Sequence, residues 1–290
     1  MSLSGKTCVV TGASRGFGRA VADHLARRGA TVAVCARTAA DLEATAASLR
    51  ARGVTVLTAA VDVSDEEAVR RFAATVAAQA GAVHALVNNA GILGPVGRVD
   101  RLDLTAWQQA LLVNTLGVVH TVAAFTPLMA ESGGTVVNLS GGGIGGPGVQ
   151  ANISAYTASK AAVVSLTETL AVELAPLRIR VNAIAPGALP TDLMRPVLAV
   201  GPERSGSRLY ETAQQLYEDA ADEPIALEEN CAALLDYLLD DASRPLTGRL
   251  LSARWDSVKA LQADAKGLAD SSLYTLRRID GRLFVEQPEG

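Results

Sequence analysis

Short apolar segments alternate with amphipathic segments along most of the chain, and this alternation limits the fold more than any other feature. The apolar segments read as strands at Thr7–Val10, Thr31–Ala36, Val54–Val61, Ala85–Val87, Thr135–Leu139 and Arg178–Ile184. Continuously apolar strands are typical of parallel sheets, which are buried on both faces. Strands that alternate with helices, joined by right-handed crossovers, predict a doubly wound α/β sheet in three layers, α/β/α, within a single domain.

The segments between these strands predict the covering helices. They lie at Phe17–Arg28, Asp41–Arg52, a segment from Ser64 to Gln79, Trp107–Phe125 and Ala155–Ala175. Ser64 and Glu67 have the spacing of a capping box, and Ser154 is placed to cap the last of these helices. A final strand is expected at Leu250–Ala253.

The predicted domain covers residues 1–253. Within it, residues 191–225 are rich in Pro, Gly and charge, which favours a mobile segment over a site. Its Leu193, Met194, Leu198 and Leu209 suggest an apolar wall, whereas Arg195, Arg204 and Arg208 favour solvated positions. Residues 254–290 are expected to form a packed helix and a short extended end, on the same domain or on a neighbouring subunit.

Composition excludes several other classes of protein. The formal net charge is −4 and the chain has no basic stripe, which argues against nucleic-acid binding. It has no metal-ligand spacing, no apolar run near the length of a membrane span and no signal peptide, so a cytoplasmic protein is expected. Cys8, Cys35 and Cys231 read as buried packing thiols, and the three histidines, His24, His84 and His120, as surface or packing residues.

Three glycines between the first strand and the first helix predict a phosphate-binding turn. Gly12 would allow the tight turn, Gly16 the approach of phosphates to the backbone, and Gly18 the packing of helix on strand. The free N–H groups at the start of the helix attract a pyrophosphate. The strand–turn–helix context therefore indicates a dinucleotide site beyond the carboxyl ends of the strands.

Charge at the end of the second strand favours one form of the dinucleotide. A carboxylate there would bind the 2′-hydroxyl of the adenine ribose, but this strand ends Cys35-Ala36-Arg37. Arg15 lies within the glycine turn itself. Two guanidiniums suit a 2′-phosphate, so NADP(H) is expected to bind at least about ten-fold more tightly than NAD(H). The competing interpretation is that both arginines are solvated.

Tyr156 and Lys160 form a possible acid/base pair. They are i and i+4 on one predicted helix, so their side chains share a face. An adjacent ammonium favours the phenolate and lowers the pKa of the phenol, which then exchanges protons with an alcohol or a ketone.

These motifs, taken together, resemble the short-chain dehydrogenase/reductase (SDR) family. The matching segments are Thr11-Gly12-Ala13-Ser14-Arg15-Gly16-Phe17-Gly18, Asp62-Val63, Asn88-Asn89-Ala90-Gly91, Asn114, Tyr156-Thr157-Ala158-Ser159-Lys160 and Pro186-Gly187 before Thr191. They follow one another in the family's order over roughly residues 5–253. The resemblance implies a Rossmann fold and reversible hydride transfer between a nicotinamide and an alcohol/carbonyl carbon of a small organic substrate.

The resemblance also implies roles for single residues. Tyr156 would be the general acid/base, Lys160 would bind the nicotinamide ribose, and Asn114 would position a proton-relay water. Asp62 would bind the adenine, and Thr191, with the backbone near Leu189, the carboxamide. The full implied cofactor site is Gly12, Ser14, Arg15, Gly16, Phe17, Gly18, Arg37, Asp62, Val63, Asn89, Ala90, Gly91, Tyr156, Lys160, Pro186, Gly187, Leu189 and Thr191. The family forms dimers or tetramers through its two long helices, so a homodimer or homotetramer is expected.

The serine that usually polarises the substrate carbonyl is where this sequence departs from the family. The strand ends Asn138-Leu139-Ser140-Gly141, so the usual second serine is a glycine, and counting 13 residues back from Tyr156 reaches Gly143. Ser140 is the candidate for the catalytic hydroxyl, and a turn residue pointing elsewhere is the alternative. Two other functions stay open: an epimerase or dehydratase that works through a transient ketone, and a catalytically silent NADP-binding regulatory protein.

Overall fold

A computed structural model describes residues 2–141, 149–218, 225, 227–243 and 245–276 of the chain. Seven parallel strands form one sheet in the order β3-β2-β1-β4-β5-β6-β7. They are β1 Thr7–Thr11, β2 Thr31–Ala36, β3 Val56–Ala60, β4 Ala85–Asn88, β5 Gly134–Leu139, β6 Ile179–Ala185 and β7 Leu250–Ser252. The chain moves outward from β1 to β3 and then returns to build the other half from β4. This confirms the doubly wound sheet and puts its crossover between β1 and β4, where such folds bind ligands.

The α-helices of the described residues cover both faces of the sheet. They are α1 Gly16–Arg27, α2 Ala39–Arg50, α3 Glu66–Ala80, α4 Leu104–Met129, α5 Ser154–Glu173, α6 Arg195–Val200, α7 Pro202–Ser205, α8 Ser207–Glu218, α9 Glu229–Leu239, α10 Val258–Ala263 and α11 Ala265–Ala269. Within α4, residues Leu112–Leu116 form a π-helical turn.

Both predicted serine caps are wrong. The N-cap of α3 is Asp65, whose carboxylate accepts the N–H of Ala68 at 3.0 Å. Ser64 instead donates to Asp62, at 2.7 Å. The N-cap of α5 is Ile153, and Ser154, the first helical residue, accepts the indole N–H of Trp107 at 3.1 Å.

The two faces of the sheet carry separate apolar cores. One lies against α1 and α9, and the other lies against α3, α4 and α5, where Phe72 and Phe125 meet edge to face at 5.6 Å. A third, smaller cluster lies beyond the sheet and joins Tyr156 to residues of α6 and α8, including Val197 and Leu209. The apolar wall predicted for residues 191–225 is therefore present and borders the tyrosine.

A chain of buried polar side chains crosses the middle of the sheet. Asn88 of β4 donates to Asn138 of β5 at 2.9 Å, and Thr121 of α4 donates to Asn88 at 2.7 Å. Asn138 donates in turn to Thr167 of α5 at 2.9 Å. Because buried polar groups need partners, these bonds fix α4 and α5 on the two central strands that support the site.

The carboxyl-terminal residues pack on the same chain. Leu261 and Leu268, on the short helices α10 and α11, are buried in the core beside α1 and α9. The guanidinium of the buried Arg249 donates to the carbonyls of Leu268, Ala269 and Ser271, each at 2.9 Å. The N–H of Leu250 in β7 donates to Tyr274 at 2.8 Å. The expected single helix is thus two short ones, and the expected extended end lies largely outside the described residues.

Burial accounts for the three cysteines, and pairing with a carboxylate accounts for His24. Cys8, Cys35 and Cys231 are free and buried, and burial raises the pKa of each thiol to about 12. The imidazole of His24 pairs with Asp236 at 2.7 Å. Among the described residues no group of three or more His, Cys, Asp or Glu is arranged to hold a metal ion.

Helix α4 is unusually apolar for its position. It is long and apolar enough to span a membrane, with a mean hydropathy of 1.5, so the expectation that no apolar run comes near that length is wrong. Only 39% of its most apolar stretch is buried. Val118, Val122 and Phe125 face the core, whereas Leu112, Leu116 and Val119 are exposed. These three lie four and three residues apart and so form one outward face.

Candidate active site

The glycine turn after β1 fits closely against the end of β4. Gly12 has a φ of +65°, and a Cβ built on it would lie 2.7 Å from the Cα of Ala90. A Cβ on Gly18 would collide with the side-chain amide of Asn89 and with the carbonyl of Gly12. No larger residue fits at either position, which explains the turn and the helix packing expected of these glycines.

Asn89 and Thr11 tie this turn to β4. The amide of Asn89 donates to the carbonyls of Thr11 and Gly12, at 2.9 and 3.0 Å. The hydroxyl oxygen of Thr11 accepts the N–H groups of Asn89 and Ala90, at 3.1 and 3.0 Å. The side chain of Asn89 therefore acts by holding the glycine turn in place.

The start of α1 is open to an anion. Arg15, the N-cap, makes no side-chain cap bond, and the first turn has no acidic residue. Gly16 has a φ of +55°, and a Cβ there would come within 3.3 Å of the Thr191 methyl group. The narrow space between the helix start and Thr191 is kept clear by a glycine, and this cradle fits the pyrophosphate of a dinucleotide.

The residues expected around the adenosine differ in what they present. Arg37 is exposed and has no ion pair in the part of the chain that the structure describes, whereas Arg15 pairs with Asp192 at 2.9 Å. One carboxylate oxygen of Asp62 is taken up by Ser64. The side chain of Val63 is buried, and a Cβ on Gly117 of α4 would lie 2.7 Å from it. The carbonyl of Val63 pairs with the His120 imidazole at 2.9 Å.

Tyr156, Lys160 and Asn114 lie together at the carboxyl edge of β4 and β5. The Lys160 ammonium donates to the carbonyl of Leu139 at 2.7 Å and lies 5.8 Å from the centre of the Tyr156 ring. A Cβ built on Gly91 would lie 3.3 Å from the side-chain oxygen of Asn114 and 3.6 Å from the ammonium nitrogen of Lys160. Glycine at position 91 therefore leaves space beside both polar groups.

Asn114 is held rigidly in the π-helical turn of α4. Its amide donates to the carbonyl of Ile92 at 2.8 Å and to Ser159 at 2.9 Å, and its oxygen accepts the N–H of Ile92 at 2.8 Å. Ser159 donates in turn to the Tyr156 carbonyl at 2.8 Å. Because π-helical turns frequently occur at functional sites, this turn indicates that the position of Asn114 beside the tyrosine is functional.

Burial controls the ionisation of the tyrosine and lysine. It raises the pKa of Tyr156 to about 12 and lowers the pKa of Lys160 to about 8. The predicted lowering of the tyrosine pKa by its neighbour is therefore absent in this arrangement, because the loss of hydration on burial determines the direction of the shift. Lys160 still carries a proton at neutral pH.

Gly141 occupies the place of the second serine and lies directly against the tyrosine. A Cβ at position 141 would collide with the Tyr156 hydroxyl and lie 2.9 Å from two ring carbons. The hydroxyl oxygen of Ser140 is enclosed and has no hydrogen-bond partner among the residues that the structure describes. The catalytic role expected of Ser140 stays a prediction. Gly142 and Gly143 lie outside the described residues.

Four residues of the site were missed by sequence reasoning about side-chain roles. Thr11 and Ser159 sit inside motifs that were recognised, but their hydrogen bonds depend on the meeting of distant segments. Asp192 follows Thr191 directly, and Tyr217 lies on α8, where its hydroxyl donates to the carbonyl of Thr191 at 2.5 Å. Nothing in the local pattern distinguishes Asp192 and Tyr217 from solvated residues.

A glycine cradle at the crossover of a doubly wound sheet, with a phenol and an ammonium beside it, defines the class of nicotinamide-dependent oxidoreductases. Comparison with known proteins narrows the class. A family model described as "short chain dehydrogenase" matches residues 6–199, and the chain belongs to that family.

Several similar proteins are named as dehydrogenases. The chain is 35% identical to the cis-4-hydroxycyclohexanecarboxylate dehydrogenase of Sinomonas cyclohexanicum over 253 residues, covering 85% of this chain and 94% of the relative. It resembles the crystal structure of NAD+-bound xylitol dehydrogenase with a TM-score of 0.76 and 32% identity, covering 87% and 98% of the two chains. Carveol dehydrogenase from Mycobacterium avium in complex with NAD gives a TM-score of 0.73 and 28% identity over 86% and 96%. The protein is therefore an oxidoreductase that acts on CH–OH or carbonyl groups.

Proposed function

We propose that this oxidoreductase uses NADP(H) to interconvert an alcohol and a carbonyl on a small, largely apolar organic substrate. The observation that carries the reaction is the position of Tyr156 and Lys160 at the same sheet edge as the glycine cradle, beside the apolar cluster of α6 and α8. The bound cofactor would supply the hydride. The phenol of Tyr156 exchanges the proton with the substrate oxygen.

The residues of the site divide the work of binding between them. The start of α1 and Gly12 to Gly18 would hold the pyrophosphate, Lys160 the nicotinamide ribose and Thr191 the carboxamide. Asn114, fixed by Ile92 and Ser159, keeps a polar group facing the space beside Gly91. The short loop that follows Gly187 would border the nicotinamide. Within it, the N–H of Thr191 donates to the carbonyl of Leu189 at 2.7 Å.

The activity is tested by NADPH oxidation with a panel of apolar ketones. We expect turnover by the wild type and a loss of at least about 10²-fold in Tyr156→Phe, which keeps the ring but removes the exchanging proton. A Tyr156→Phe variant with wild-type turnover would refute the role of the phenol. Bound cofactor without net oxidation or reduction would favour the epimerase or dehydratase alternative.

The preference for NADP(H) is supported by charge alone. β2 ends without a carboxylate, and Arg37 and Arg15 are exposed near the expected ribose. The xylitol and carveol dehydrogenases were crystallised with NAD, so the proposed preference rests on these residues and not on the family. In Arg37→Ala, the dissociation constant of NADPH should rise by about ten-fold while that of NADH stays constant. Equal weakening of both would contradict the assignment.

We propose that the protein is a homo-oligomer built on α4 and α5. The outward face of α4, formed by Leu112, Leu116 and Val119, and the exposed Val172 of α5 support this. An apolar helix face of this kind on a folded subunit marks an association surface.

A further inference from the structure

Asp192 links the loop after β6 to the glycine turn. Its carboxylate lies between two arginines, bonded through one oxygen to Arg15 at 2.9 Å and through the other to Arg195. The guanidinium of Arg195 in turn covers the ring of Tyr217, 5.4 Å from its centre. The pair with Arg15 therefore joins the phosphate loop to the segment that contains Thr191 and α8.

The guanidinium of Arg15 is one of the two that are expected to bind a 2′-phosphate. Arg37 has no ion pair within the described ranges, but Arg15 already has a carboxylate partner. A phosphate monoester at that guanidinium would bring two anionic groups to one cation, and their repulsion opposes simultaneous binding. Asp192 would keep Arg195 as a partner after losing Arg15, so the exchange leaves no carboxylate unpaired.

We propose that Asp192 is a specificity-determining residue that competes with the 2′-phosphate of NADP(H) for Arg15. This inference rests on the proposed preference for NADP(H). The carboxylate weakens NADP(H) binding selectively, because a cofactor without a 2′-phosphate leaves the Arg15–Asp192 pair intact. Occupation of Arg15 by NADP(H) also frees the loop at Thr191 from its tie to the glycine turn.

The size of the effect follows from the exposure of the pair. The side chains of Arg15 and Asp192 are 65% and 36% exposed, and ion pairs in such settings are weak. Removing the competitor should therefore strengthen NADPH binding by about three-fold.

The test measures dissociation constants of NADPH and NADH by calorimetry, without substrate. In Asp192→Asn, which keeps the shape of the side chain, the ratio of the NADH constant to the NADPH constant should rise by about three-fold. Glu173→Gln removes an equal charge from the far end of α5 and should leave the ratio unchanged. In an Arg15→Ala background, Asp192→Asn should no longer change the ratio.

Two results would overturn the competition. The first is an unchanged or lower ratio in Asp192→Asn, which includes an equal gain for both cofactors, and the second is a gain that persists without Arg15. If the wild type prefers NADPH and the variant leaves that preference unchanged, the NADP(H) assignment stands and only the competition fails. If neither protein distinguishes the cofactors, both proposals fail.

Discussion

At the scale of single residues, the contact between Gly141 and Tyr156 explains why the expected serine is missing. The tyrosine hydroxyl lies where the first side-chain carbon of residue 141 would stand. A serine at this position and the observed tyrosine rotamer exclude each other. A glycine at position 141 therefore leaves the space that the Tyr156 hydroxyl occupies beside the end of β5.

Gly141→Ser should therefore harm the enzyme even though it restores the family's residue. The new side chain would displace the Tyr156 hydroxyl, and misplacement by about 1 Å costs on the order of 10²-fold in turnover. Steady-state kinetics with a ketone that the wild type reduces would measure this. Turnover at or above the wild-type level in Gly141→Ser would refute the steric argument.

Sequence reasoning located the site residues better than it located their partners. Tyr156, Lys160 and the glycines were found because their motifs are local and ordered. The caps were wrong because Ser64 and Asp65 are both good N-caps, and only the path of the chain at Asp62 decides between them. The Arg15–Asp192 pair joins residues 177 positions apart, by subtraction of their numbers, and no pattern within either segment predicts it.

At the scale of elements, every strand except β3 was predicted to within one residue at each end, because burial gives a clear apolar signal. The edge strand β3 is partly exposed and spans Val56–Ala60, not the predicted Val54–Val61. β2 was predicted at its observed bounds, and β4 and β5 within one residue at one end. Helix ends were less well predicted: α4 begins at Leu104 and ends at Met129, beyond the predicted Trp107–Phe125. The π-helical turn at Asn114 carries no sequence signature, since it depends on the bonds to Ile92 and Ser159.

The clamp made by Arg249 should stabilise the carboxyl-terminal helices. Arg249→Met would leave the carbonyls of Leu268, Ala269 and Ser271 without their donor, and we expect the free energy of unfolding to fall by about 2–4 kcal/mol. Urea unfolding would measure the change. Arg254→Met, at an exposed position stacked on Trp255, is the control, and equal stability of the two variants would contradict the clamp.

At the scale of the whole molecule, the buried Lys160 makes stability depend on pH. Its pKa is about 8 in the folded protein, because burial disfavours the ammonium, against 10.5 for an ordinary lysine side chain. Between these values the unfolded chain binds more protons, so the free energy of unfolding rises with pH. Below pH 8 the ammonium is charged in both states and its burial costs the most.

Comparison with the Lys160→Met variant isolates the contribution of Lys160 to the pH dependence of the free energy of unfolding. From pH 8 to pH 10 the wild type should gain about 2 kcal/mol relative to the variant, by about 1.4 kcal/mol per unit of pKa difference. The variant lacks the hydrogen bond to Leu139 at both pH values, so the effect of that loss on the free energy of unfolding cancels in the comparison. Denaturant unfolding at pH 8 and pH 10 checks the prediction. If the free energy of unfolding changes equally with pH in the two proteins, the pKa of Lys160 is not lowered by folding.

The apolar face of α4 predicts how subunits associate. Leu116→Lys would place an ammonium in the proposed contact, and burying it unpaired is unfavourable. We expect light scattering after size-exclusion chromatography to show a lower mass for this variant than for the wild type. Leu273→Lys, also at an exposed leucine but on the carboxyl-terminal segment, should keep the wild-type mass. A monomeric wild type would refute the oligomer.

The bond from Leu250 to Tyr274 affects how crowded molecules meet one another. β7 borders the sheet, and a bare border strand offers N–H and C=O groups that recruit strands from other chains into aggregates. Here the chain's own residues already occupy part of that border, anchored by Arg249. A second molecule could lengthen the sheet at β7 only after peeling this segment away, which guards the protein against edge-to-edge polymerisation at high concentration.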